Sequence, residues 1–181
     1  RQMCIRDRTY TDFFAKKAAM TRPETQLKLS LYSSILYLCL GEPMKARKSM
    51  KNIFGSGKFF HTLPSYKTAR LINLLIQAEL GDYCFFANEI SSIKRMIDYE
   101  KQVYITEKLL FRFLMAHPLP IYKKDQEKLW SQYQKDIMRI RQDKYEKQLL
   151  KTFDFTAWIE SKLPNIPLRE ILSRTDWYIS A

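Results

Sequence analysis

At 181 residues, with 46% hydrophobic and 28% charged side chains, the chain is long enough for one domain with a substantial core. Four glycines in all argue against a strand-rich or loop-rich fold, and no apolar run approaches the roughly 20 residues that cross a bilayer as a helix. The net charge of +12 points to acidic or polyanionic partners.

Residues 1–8, Arg-Gln-Met-Cys-Ile-Arg-Asp-Arg, look like the translation of a transposon-end adapter used to tag sequencing libraries. They are set apart from fold reasoning as a non-native segment. On that expectation the chain is the C-terminal part of a longer protein, and a signal peptide could precede it. Thr9–Thr21 carries Tyr10, Phe13, Phe14, Ala18 and Ala19 at the spacing of a helix end. Arg22-Pro23 breaks it, and Pro23-Glu24 opens a helix running to Leu40, apolar almost all round at Leu27, Leu31, Tyr32, Ile35, Leu36, Leu38 and Cys39. Such a helix is expected to have neighbours on several sides.

After the turn Leu40-Gly41-Glu42-Pro43, a helix is predicted to Phe54, with Met44, Met50, Ile53 and Phe54 apolar and Lys45, Arg47, Lys48 and Lys51 on its other face. Gly55–Ser65 reads as a loop. Helices follow over about 66–80, 83–98 and 100–116, the last closed by His117-Pro118-Leu119-Pro120. A longer helix from Lys123 carries Leu129, Trp130, Tyr133, Ile137 and Ile140. One long helix is expected over 144–163, ended by Pro164 and Pro167, before a short helix and a tail over 164–181.

Two stretches of this pattern repeat. Gly41 and Gly81 are 40 positions apart, and at that offset Leu31 falls on Leu71, Ile35 on Leu75, Leu36 on Ile76, Leu40 on Leu80, Met50 on Ile90 and Ile53 on Ile93. Glycine suits a left-handed residue after a helix, Pro43 suits the first turn of the next helix, and Asp82 suits an N-cap. These features resemble the tetratricopeptide-repeat family over roughly residues 25–98. Ser34, Tyr37, Gly41 and Ala46 match that family's pattern in the first copy, and Gly81, Asp82 and Tyr83 match it in the second. Leu74 and Phe86 stand where the family has small residues. The period exceeds the family's, about 34 residues, and the excess is assigned to the loop at Gly55–Pro64.

The resemblance implies an all-α fold of antiparallel helical hairpins, at about 24–54, 66–98 and 100–142, stacked as a short α-solenoid over 9–163 with a longer C-terminal helical cap. It also implies protein binding. It does not carry over the carboxylate clamp of some members, because the corresponding Leu31, Ile35, Leu71 and Leu75 are apolar.

Catalytic motifs are wanting. His61 and His117 have no metal-spaced partners, so no metal or cofactor is expected. Gly55-Ser56-Gly57-Lys58 is too short for a phosphate loop and is followed by Phe59. Cys39 and Cys84 lie in apolar helical surroundings and read as core thiols, which favours a cytoplasmic location. The expected function is a non-enzymatic scaffold for a protein or peptide partner. The alternative is a nucleic-acid or anionic-surface binder using a patch of Lys45, Arg47, Lys48, Lys51 and Lys58, or a second basic set over Lys135, Arg139, Arg141, Lys144, Lys147 and Lys151.

Overall fold

The computed structural model describes residues 22–55, 57–84, 86–100, 104–116, 119–120, 122–163 and 166–174. The segment 1–8, the helical pattern at Thr9–Thr21 and the tail beyond 174 lie outside them. Among the described residues the fold is all-helical, with nine α-helices and no strand. In chain order they are α1 (Pro23–Cys39), α2 (Pro43–Gly55), α3 (Tyr66–Glu79), α4 (Phe86–Glu100), α5 (Ile105–Met115), α6 (Lys123–Gln142), α7 (Glu146–Leu150), α8 (Phe155–Lys162) and α9 (Leu168–Arg174). A 3-10 turn at Gly57–Phe60 lies between α2 and α3. Contacts divide the chain into two compact units. One holds the residues up to Leu38 with Glu42–Ile76, and the other holds Cys39–Gly41 with Gln77 onward.

α1 and α3 end alike. Gly41 and Gly81 both take φ 72°, where a Cβ would clash with the backbone. The Glu42 N–H donates to the Tyr37 carbonyl at 2.8 Å, and the Asp82 N–H donates to the Gln77 carbonyl at 2.9 Å. Each bond runs from the third residue past the helix to its last turn, the six-to-one bond of a Schellman motif. The following helices differ. Pro43 begins α2, with the Glu42 carbonyl accepting from the N–H groups of Lys45 and Ala46 at 3.1 Å each. In the second copy the helix begins at Phe86 rather than Tyr83, so Asp82 is a turn residue and not the N-cap expected of it. The Tyr83 hydroxyl instead reaches back to donate to the Ala78 carbonyl at 3.3 Å.

In the first unit, α1 buries Leu27, Leu31, Ser34 and Leu38, one stripe at helical spacing. The Ser34 hydroxyl is satisfied by the Leu31 carbonyl at 2.7 Å. α2 contributes Ala46, Met50 and Ile53 to the core. α3 is buried nearly all round through Ala69, Leu71, Ile72, Leu74, Leu75 and Ile76.

In the second unit, α5 is the central helix, packed against α4, α6 and α8. α4 presents the stripe Phe86, Ile90, Ile93 and Ile97. The Phe113 ring on α5 meets Tyr133 of α6 at 5.3 Å and Trp158 of α8 at 5.8 Å, both edge-on, the favoured geometry for aromatic pairs. Among its described residues, α6 is buried at Tyr133, Ile137 and Ile140. The single helix expected over 144–163 is broken after Leu150. Asp154 accepts from the Ala157 N–H at 3.0 Å and starts α8 afresh, which a helix interior does not allow.

The N-terminus of α5 is held by a distant carboxylate. Glu146, buried on α7, accepts from the N–H groups of Ile105 at 2.6 Å and Thr106 at 3.0 Å, and from the Thr106 hydroxyl at 2.8 Å.

Two outcomes follow for stability. Gly41→Val adds a Cβ that meets no atom within 4 Å beyond its own stretch of backbone, so its cost is the local backbone strain, about 1–2 kcal/mol. Gly41→Asn costs less because Asn tolerates the left-handed region; chemical denaturation of the two variants checks the order. Glu146→Ala leaves buried donors unanswered and lowers stability by about 3 kcal/mol. Hydrogen exchange should locate that loss in α5 and α7.

Candidate functional site

α2 sorts its residues cleanly. Ala46, Met50 and Ile53 face the core, and Met44, Arg47, Lys48 and Lys51 recur at i, i+3, i+4 and i+7 on the exposed side. The helix contains no carboxylate. Arg47, Lys48 and Lys51 make no ion pair or hydrogen bond among the described residues. Lys45 stands apart from this stripe. Its ammonium pairs with Glu42 at 2.9 Å and lies 5.8 Å over the Tyr37 ring. The side chain of Lys58, the fifth member of the expected patch, lies outside the described residues. The structure therefore groups Arg47, Lys48 and Lys51, adds Met44, which is 66% exposed, and sets Lys45 to the flank. Helical spacing in the sequence held the signal for Met44, since it begins the same stripe.

α1 departs from expectation. It was to be covered on several sides, yet Tyr32 is 53% and Leu36 64% exposed, with Leu29 half-buried beside them. These three recur at i, i+3 and i+7 on the face opposite the core stripe. At the repeat offset they correspond to Ala69, Ile72 and Ile76 on α3, each 0% exposed. Equivalent positions are thus covered in one copy and open in the other.

The second basic set loses one member to the fold. Arg141 turns inward on α6 and donates to Glu160 at 3.0 Å, with Asp154 at 3.8 Å, so it is a structural cation. Lys135, Arg139, Lys144, Lys147 and Lys151 are exposed.

A cleft of about 170 Å³ in the second unit is lined by Ala78, Tyr83, Phe113, Leu114, Leu119, Trp158 and Lys162. Its polar groups are occupied by one another. The Trp158 Nε1–H donates to Glu79 at 2.7 Å, and the Lys162 ammonium pairs with the same carboxylate. Burial, and then the negative charge of Glu79, push the Tyr83 phenol up. At this size, below the roughly 300 Å³ of ordinary ligand sites, the cleft is a packing gap.

The remaining sequence candidates sit as follows. His61 stacks on Tyr66 at 4.6 Å, and His117 lies outside the described residues. Gly55 ends α2 and Gly57 opens the 3-10 turn, so a helix and not a strand precedes the glycines. Cys39 is half-buried, and burial pushes its thiol up. Cys84, expected in the core, is exposed because the helix starts only at Phe86 and leaves it in the preceding turn.

Comparison with family models, curated proteins and solved structures gives no match.

The two thiols should separate chemically. In a Cys4→Ser background, a maleimide or disulfide reagent modifies Cys84 at a rate near that of an exposed thiol. Cys39 reacts at least about tenfold more slowly, because burial reduces both access and thiolate. Peptide mapping after timed labelling reads the ratio.

Proposed function

We propose that the chain is a non-enzymatic protein–protein interaction scaffold of tetratricopeptide-like helical hairpins, cytoplasmic and working without a cofactor. One observation supports this reading above the rest. The stripe Leu29, Tyr32 and Leu36 on α1 is open, and its counterpart Ala69, Ile72 and Ile76 on α3 is fully covered. In a stack of repeats each helix face is closed by its neighbour, so an open face of the same character is where a further helix adds. Large exposed apolar residues at helical spacing mark such sites on soluble proteins.

The alternative is a nucleic-acid or anionic-surface binder. What favours it is the cationic stripe of α2, which has no acidic partner among the described residues.

Tyr32→Asp combined with Leu36→Asp tests the scaffold. Both side chains are exposed, so circular dichroism and melting should stay unchanged. Affinity capture from an extract, with bound proteins identified by mass spectrometry, should retain at least one protein on the wild type that is lost on the variant. Identical retention on both overturns the reading.

A further inference from the structure

We infer that the outer face of α2 docks an acidic amphipathic helix of a partner protein, with carboxylates meeting Arg47, Lys48 and Lys51 and an apolar side chain meeting Met44. This deepens the scaffold reading and rests on it.

The geometry sets the partner's pattern. Met44, Arg47, Lys48 and Lys51 form one i, i+3, i+4, i+7 stripe, and residues at that spacing are about 5–6 Å apart. Glu or Asp at three- and four-residue spacing on a second helix has the same interval. The three cations have no acid on α2 and no partner among the described residues, so their charge is available to an incoming anion. The carboxylate that precedes the helix, Glu42, is engaged by Lys45 on the flank.

Other polyanions fit less well. A membrane-surface helix inserts its apolar face into lipid, but Ala46, Met50 and Ile53 are buried in the protein core. The apolar residue left outside on the stripe is Met44 alone. Nucleic acid offers phosphates to the three cations, but the stripe carries no aromatic ring on which a base could stack. A protein helix satisfies both kinds of side chain at once. Its apolar residue covers the methionine, whose flexible thioether adapts to varied shapes.

The test uses the whole chain and a synthetic peptide of about 20 residues, long enough to be helical by itself. The peptide carries one Leu with Glu at the third, fourth and seventh positions after it. A scrambled peptide of the same composition, a mixed-sequence duplex DNA and phosphatidylserine-containing vesicles are run beside it. The patterned peptide should bind more tightly than the scramble and weaken as salt rises from about 50 to about 200 mM. The triple variant Arg47→Glu, Lys48→Glu, Lys51→Glu should lose about tenfold in affinity. Met44→Ser should lose about fivefold with the salt dependence unchanged. Equal binding of patterned and scrambled peptides overturns the proposal, as does indifference to the charge reversal. Tighter binding of the duplex or the vesicles through the same three cations also overturns it. The Tyr32→Asp, Leu36→Asp variant should bind the peptide normally. Loss of capture by that variant together with a failed peptide removes the α2 proposal and leaves the scaffold standing.

Discussion

A carboxylate far along the chain anchors the second unit. A helix start leaves backbone N–H groups with no partner inside the helix and gathers partial positive charge there. α5 begins at Ile105 and already buries Thr106 and Glu107 in its first turn, where water has little access to those groups. Glu146 does so from α7, through three hydrogen bonds, and Glu107 adds one to the Tyr104 N–H at 3.1 Å. The same contacts hold the five-residue α7 against the start of α5. A helix so short has little stability of its own. Its place is set by what its glutamate accepts.

Legibility from sequence followed the range of the interaction. The Leu-Gly turns were readable because a left-handed residue after a helix is a local demand that glycine meets. The apolar spacing of α4 and of the last half of α6 was readable for the same reason. Glu146 was not, because nothing near it in sequence signals a bond to Thr106. The break between α7 and α8 was missed because apolar residues continue through Phe153, masking the cap at Asp154. Asp82 looked like an N-cap by its position after glycine, yet the turn ran on to Phe86 and took Cys84 out of the core with it.

The two copies of the sequence pattern show how little a repeat says about surroundings. Leu36 and Ile76 occupy equivalent places with similar hydrophobicity, and one lies open while the other is sealed. Periodicity identifies which residues can be buried; only the neighbours decide which are. The basic residues teach a related lesson. Arg141 and Arg47 count equally in the net charge, but Arg141 is spent between Glu160 and Asp154, whereas Arg47 faces solvent. Charge totals overstate what a partner meets.

The central position of α5 has a consequence for how the second unit comes apart. In a linear array each unit touches only the next, so ends can fray while the middle survives. α5 touches α4, α6 and also α8, which follows it two helices beyond α6. The Phe113 ring meets rings from both α6 and α8. Loosening either helix strips cover from the same buried ring, and the loss is passed to the other. Disassembly by stages is thereby made costly, so the second unit is expected to melt as one cooperative body, and closure between elements distant in sequence is expected to slow its folding.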